Sequence, residues 1–216
     1  MSERPESAPA EQFDFTKVMQ QINSANPNMR FNRALVMWGG EIPFIIDEHE
    51  WISCTNKNNN KDKVTDIHIG AQPAPPETAK LYGWGVNNID SEMAVRTSHE
   101  MAHAVQVARG FEQALVDILN GITRYVTNQQ SAYISLYKIF TAYGKSVTGL
   151  STEEIYKEQS IEANMEVPVI EDITELLGAY LLGDEYFYWR LNRIRGDFSD
   201  MEKLGILSLV STIYTE

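Results

Sequence analysis

The sequence predicts an α+β protein in which a small sheet precedes a mainly helical part. Four short runs of apolar or β-branched residues favour strands: Ala34–Trp38, Ile42–Ile46, Trp51–Cys54 and Val64–Ile69. From Asp90 onward, helical periodicity and capping residues replace this pattern. Strands followed by helices are typical of α+β folds, so we expect a small antiparallel or mixed sheet and then a helical C-terminal part.

Length and composition predict one folded domain. The chain has 216 residues, of which 43% are hydrophobic and 22% charged, so it can form a packed core. Residues 1–12 are polar and rich in Pro and Glu, and we interpret them as a flexible tail. Residues 13–216 are expected to form a single domain.

Charge and cysteine content narrow the class of function. The net charge of −12 argues against nucleic-acid binding, which depends on clustered Lys and Arg. Cys54 is the only cysteine, so no internal disulfide can form and a reducing compartment is favoured. The N-terminus lacks the apolar core of a signal peptide, and no apolar run has the length of a membrane span. We therefore expect a cytoplasmic protein without a membrane or nucleic-acid partner.

The strand-rich part has one clear half-buried strand and two loops. Val64–Ile69 alternates, with Thr65, Ile67 and Ile69 on one face. The polar segment Asn56–Lys63 is predicted as a loop. Residues 70–90 contain several Gly and Pro residues and are predicted as a long loop, a kind of segment that often carries function.

Caps and glycines divide the remaining chain into helices. The first is expected to start at Asp90 or Ser91, to run to about Arg109 and to stop at Gly110. The second predicted helix covers Phe111–Tyr143 and is bent near Gly121, and a third starts at Ser151. A fourth covers Val169–Arg195, with Gly183 as a candidate interruption. The last starts at the capping box Ser199–Glu202.

Residues 97–106 read TSHEMAHAVQ and place a histidine pair inside the first of these helices. His99 and His103 are four residues apart, so they lie on one helical face and can reach the same metal ion. Glu100 points to the neighbouring side, where it can accept a proton from a water on the metal. Zinc suits this pattern, because it binds imidazole nitrogen and keeps a fourth position for water.

The third ligand is expected to be a carboxylate on a later helix. No histidine follows His103, and Arg109 occupies the last position of an HExxHxxGxxH motif, which excludes that kind of site. Glu171 and Glu175 share a helical face, which suits one metal ligand and one carboxylate that holds the far N–H of an imidazole. Other glutamates remain alternatives as third ligand: Glu158, Glu162 and Glu166.

The HEMAH motif followed by a helical glutamate resembles the zincin metallopeptidases of the gluzincin type. The resemblance implies a zincin-like fold, with Glu171 as the third zinc ligand and Glu175 orienting His99. The usual orienting residue in that group is Asp, so Glu175 is one methylene longer. The segment Glu171–Leu182 (EDITELLGAYLL) also resembles the E-x-x-A-N-x-F-A-A-x-L-L helix of the ImmA/IrrE-like peptidases, with Thr174 and Glu175 in place of Ala and Asn.

These residues predict a zinc-dependent hydrolase, a metallopeptidase that cleaves a peptide or protein substrate. The substrate is expected to lie extended beside the strand Val64–Ile69, through backbone hydrogen bonds. One alternative is a catalytically inactive zincin-like module with a structural or interaction role. Another is zinc-dependent hydrolysis of a non-peptide amide.

The other histidines, the cysteine and the aromatic segment are expected to lie outside the metal site. His68 and His49 are expected at the surface, and Cys54 is expected to be buried as a small hydrophobe. The aromatic segment Tyr186–Trp189 is predicted to be core, although one of its tyrosines, or Tyr180, is a candidate donor to an oxyanion. The segment Gly83–Gly85 is either a mobile lid or a turn held by a buried Trp84.

Overall fold

A computed structural model describes residues 44–60, 63–76, 89–142 and 167–215, together with Gln20, Arg30 and Ala34. Several sequence predictions concern residues outside these ranges: the tail 1–12, the segment Gly83–Gly85, the helix start at Ser151, and the glutamates Glu158, Glu162 and Glu166.

The described part of the chain contains a small mixed sheet, as predicted. Its strands are β1 (Phe44–Asp47), β2 (Cys54–Lys57) and β3 (Val64–Gly70). β3 is the central strand, since it pairs in parallel with β1 and antiparallel with β2. Ile67 and Ile69 are fully buried, as the alternating pattern predicts, whereas Thr65, predicted on the same face, is exposed.

Two strand predictions need correction. β2 begins only at the last residue of the predicted strand Trp51–Cys54 and continues through Lys57, into the predicted loop. Apolar content favoured the earlier segment, but Ile52 is 55% exposed, and pairing with β3 decides where the strand lies. Ala34 is helical and fully buried, so the strand predicted to begin there is wrong at its first residue.

The first predicted helix is confirmed and the second is divided. Helix α1 spans Ile89–Ala108, and Gly110 follows it with a left-handed φ of 60°. Only glycine adopts this conformation without strain, which explains the stop. The stretch predicted as one bent helix forms α2 (Phe111–Leu119) and α3 (Asn128–Ala142), because Gly121 also has positive φ, 72°.

The C-terminal helices agree with the sequence prediction. Helix α4 (Val167–Leu181) and helix α5 (Asp184–Ile194) are separated at Gly183, where φ is 109°. The predicted capping box is present at α6 (Asp200–Ile213): the Ser199 hydroxyl accepts from the Glu202 backbone, and the Glu202 carboxylate accepts from the Ser199 backbone.

Helix α1 contacts both the sheet and the helical part, which positions its side chains for chemistry. It packs against β2 and β3 and also against α4. Met101 and Val105 of α1, Ile67 of β3, and Leu177 of α4 belong to one buried core. In the described residues, no helix combines the length and the apolar character needed to cross a membrane.

Candidate metal centre

The two histidines of the HEMAH motif face each other from consecutive turns of α1. The Nε2 atoms of His99 and His103 are 3.1 Å apart, and the planes of the two rings are nearly perpendicular. Both side chains are mostly buried, with exposed fractions of 19% and 18%. The helical spacing thus brings two imidazole nitrogens to one point, as the sequence predicts.

Glu171 on α4 completes a triangle of potential ligands. Its Oε2 atom lies 3.6 Å from His99 Nε2 and 3.5 Å from His103 Nε2. Ligand atoms at tetrahedral positions around zinc, with bonds near 2.1 Å, are roughly 3.4 Å apart. The three donor atoms, which all lie within 4.8 Å of one another, therefore fit a single zinc ion in both type and spacing.

Glu175 contacts the opposite side of His99. Its Oε1 atom lies 3.3 Å from His99 Nδ1, while its Oε2 atom accepts a hydrogen bond from the Arg190 guanidinium on α5. A carboxylate at Nδ1 favours the tautomer whose Nε2 lone pair is free for a metal. Glu175 is thus next to His99 Nδ1 and, unlike Glu171, is not part of the donor triangle.

Gln106 contacts Nδ1 of His103, as Glu175 does at His99. It is not among the site residues predicted from the sequence. Its Oε1 atom is 3.0 Å from His103 Nδ1. Its amide nitrogen donates to Tyr133 Oη and to Thr174 Oγ1, which fixes the orientation of the amide. The signal in the sequence is the spacing, since Gln106 follows His103 by three residues and so lies on the same helical face.

The charges of the cluster favour an added cation. Burial by itself lowers the pKa of His99, but the carboxylates of Glu175, Glu100 and Glu171 outweigh burial and raise that pKa to about 9. The pKa of His103 is also raised, because Glu171 opposes the effect of burial. A site that retains protons this strongly attracts positive charge, which a metal ion also supplies.

Glu100 lies beside the two imidazoles and is held by the sheet. Its side chain is buried, and its charge contributes to the raised pKa values of His99 and His103. The Oγ1 atom of Thr55 on β2 lies 2.8 Å from the Glu100 carbonyl oxygen and 2.9 Å from its Oε2 atom, and it can donate to either. The sequence analysis did not identify Thr55, because no local pattern links β2 to α1.

The pairing of the central strand disfavours the predicted position of an extended substrate beside Val64–Ile69. β3, which contains the predicted strand Val64–Ile69, has β1 on one side and β2 on the other. At Ile67 and His68 the backbone of β3 is paired on both sides, so an added strand has no place there. Within the described residues β2 pairs with β3 alone, so β2 is the strand with a free edge next to α1.

The remaining predicted residues lie away from the donor triangle. His68 is partly exposed, 3.4 Å from Asp47, on the side of β3 opposite the buried Ile67, and His49 is exposed. Cys54 is exposed rather than buried as predicted, because it faces the side of β2 opposite Thr55.

The aromatic residues have mixed environments. Tyr180 directs its hydroxyl to Ser211 on α6, which disfavours it as an oxyanion donor. Within the predicted core segment Tyr186–Trp189, Phe187 is fully buried but Trp189 is 40% exposed. The hydroxyl of Tyr186 is buried and has no hydrogen-bond partner among the described residues.

No family model matches this chain, and no curated protein or solved structure matches it. The resemblance to zincins is therefore carried by the HEMAH motif and the glutamates of α4 alone.

Proposed function

We propose that this protein is a zinc-dependent hydrolase of the metallopeptidase type. His99, His103 and Glu171 are the zinc ligands and Glu100 is the general base. The observation that supports this most directly is the donor triangle, with sides of 3.1, 3.5 and 3.6 Å. Two imidazoles and one carboxylate are a donor set used by catalytic zinc sites in peptidases.

The number of donors favours a catalytic site over a structural one. Structural zinc sites are usually closed by four protein ligands, whereas catalytic sites use three and keep one position open. Among the described residues, the group that fits a metal consists of His99, His103 and Glu171. A zincin-like module without activity would also have no use for a buried carboxylate beside this group, yet Glu100 is held there by Thr55.

Each side chain of the site has a separate role in the proposed hydrolysis. A zinc ion bound by them supplies Lewis acidity, which makes a water molecule more acidic and polarises a carbonyl group. Glu100 accepts the proton of the attacking water and delivers it to the leaving amine. Glu175 lies 3.3 Å from His99 Nδ1 and Gln106 lies 3.0 Å from His103 Nδ1, positions that favour the tautomers whose Nε2 atoms are free to bind the metal.

The proposed substrate is an extended peptide that adds to the edge of β2 that no described strand occupies. Backbone hydrogen bonds to a sheet edge bind extended peptides with little dependence on sequence. Because Thr55 of β2 contacts Glu100 directly, a peptide on this edge passes close to the general base. We propose this position for the substrate in place of the one beside Val64–Ile69 that the sequence predicted.

A cytoplasmic location belongs to the same proposal. Cys54 is the only cysteine and its side chain is exposed. An exposed unpaired thiol is better suited to a reducing compartment than to an oxidising one.

The general-base role is tested with zinc-loaded full-length protein and a mixture of synthetic peptides of randomised sequence. New peptide termini are quantified by mass spectrometry for the wild type, for Glu100→Gln and for Glu185→Gln, a matched change at an exposed position of α5. Glu100→Gln should keep about one equivalent of zinc and lose about 10²–10⁴-fold in cleavage rate, because an amide cannot accept the proton. Glu185→Gln should behave as the wild type.

Two outcomes would contradict the proposal in different ways. Wild-type cleavage by Glu100→Gln would show that Glu100 is not the base. A wild type that binds zinc but cleaves no peptide in the mixture would favour a non-peptide amide substrate or an inactive module.

A further inference from the structure

Helices α1 and α4 approach each other closely at a glycine of α4. A Cβ atom added to Gly178 on α4 would lie 3.0 Å from both the Cα and the N of His99, and 3.1 Å from the carbonyl carbon of Ser98. These distances are tighter than ordinary van der Waals contact. The neighbouring atoms are all backbone, so they cannot rotate away as a side chain can.

This glycine has no evident role within its own helix. Gly178 is buried in the interior of α4, where alanine is the more favourable residue for helix formation. Gly205 in α6 provides a contrast, since an added Cβ there would meet nothing within 4 Å. The benefit of glycine at 178 is therefore the close approach to α1 that it permits.

The contact lies on the face of α4 that carries the carboxylates of the metal centre. Glu171, Glu175 and Gly178 are separated by four and three residues, so they follow one another along one helical face. Glu175 contacts the imidazole of His99, and Gly178 touches the backbone of the same residue. The spacing of the two helices at Gly178 thus determines how far both carboxylates reach towards the histidines.

We propose that Gly178 is a positioning residue for the metal centre, because it sets the α1–α4 distance at which Glu171 can join His99 and His103 on one ion. A methyl group at this position requires the helices to move by a few tenths of an ångström. Metal–ligand distances tolerate deviations of only about 0.2 Å. This inference rests on the proposed function, since it concerns the same zinc site.

The test compares Gly178→Ala with Gly205→Ala in the full chain, using zinc affinity measured by competition with a chromogenic chelator. Both variants add one methyl group inside a helix, but only the first meets the backbone of a ligand. Gly178→Ala should weaken zinc binding by about tenfold or more, the lower end of the effect seen when the supports of metal ligands are altered. Gly205→Ala should leave the affinity unchanged. Equal zinc affinities for the two variants would overturn the inference.

A readout without metal separates this inference from the proposed function. In zinc-free protein, Gly178→Ala should lower the melting temperature through the backbone clash, whereas Gly205→Ala should raise it slightly or leave it unchanged. If both variants raise the melting temperature equally, the close approach of α1 and α4 at Gly178 is absent and the inference fails. A wild type that binds no zinc would defeat the proposed function and, with it, the role of Gly178.

A second variant covers the case in which Gly178→Ala does not fold. Glu171→Asp leaves the helix contact intact and shortens the reach of the carboxylate by one methylene. It should weaken zinc binding by about tenfold or more relative to the wild type, since it moves the oxygen away from the histidines. Wild-type zinc affinity in Glu171→Asp would show that the centre tolerates larger displacements than Gly178 prevents, which would refute the proposal.

Discussion

Arg190 on α5 and Glu175 on α4 form a buried ion pair directly behind His99. Only 5% and 8% of these side chains are exposed, and the second oxygen of Glu175 lies 3.3 Å from the His99 imidazole. Burial opposes ionisation of Glu175, but Arg190 and His99 lower its pKa to about 2. Arg190 of α5 thus holds the carboxylate of Glu175 next to His99, a proposed zinc ligand.

The first prediction concerns this ion pair. Arg190→Met should lower the free energy of unfolding by about 3 kcal/mol or more, because it leaves the buried charge of Glu175 without its guanidinium partner. Chemical denaturation of metal-free protein at pH 7 measures the change. Arg124→Met is the matched control: it removes the partner of Asp117 at the surface, where ion pairs contribute little. Similar decreases in the free energy of unfolding for the two variants would show that the buried Arg190–Glu175 pair stabilises the fold no more than a surface pair does.

The second prediction distinguishes the two glutamates of α4. Glu171→Gln should weaken zinc binding more than Glu175→Gln, because it removes the negative charge of a proposed ligand rather than of a group behind one. For Glu175→Gln a loss of about 10–100-fold is expected. Chelator competition provides both values, with the exposed Glu185→Gln as control. The reverse order of the two losses would assign the ligand role to Glu175.

The third prediction is a pH dependence of zinc affinity. The pKa of His99 in the metal-free protein is about 9, so zinc must displace a proton from its imidazole at pH 7. The direction follows: affinity should increase as pH rises, by about tenfold per pH unit between pH 7 and 9, and level off above that range. Calorimetry in buffers of different ionisation enthalpy should detect the released proton. A flat profile without proton release would mean that His99 is neutral before zinc binds.

The fourth prediction concerns the contact between β2 and Glu100, the proposed general base. Thr55→Val keeps the shape of the side chain but removes the hydroxyl that donates to Glu100. A hydrogen bond to a charged group contributes about 1.5–3 kcal/mol, so peptide cleavage should fall about 10–100-fold while the zinc stoichiometry stays the same.

Two variants control for strand effects in this experiment. Thr55→Ser keeps the hydroxyl and should retain most of the activity. Thr65→Val makes the same change on β3 at an exposed position and should leave cleavage unaltered. If Thr55→Val cleaves peptides as fast as Thr65→Val, the hydroxyl does not position Glu100.

The sequence by itself determined the features that depend on distances along one element. His99 and His103 meet because residues four apart share a face of any α-helix, and the same geometry aligns Glu171 with Glu175. Gly110 and Gly183 end helices because their backbone conformations are open to glycine. The capping box at Ser199 is likewise a local pattern, and all of these predictions are confirmed.

Only the tertiary structure decided which distant residues support these groups. Gln106 is on the same helix as His103, so helical spacing could have predicted its contact. Thr55 and Arg190 come from β2 and α5, and their contacts depend on how side chains pack across the core. The strand order could not be predicted either, because alternation in β3 reports burial of one face and does not identify its neighbours. Spacing along a helix follows from 3.6 residues per turn, whereas pairing between elements follows from the collective fit of many side chains.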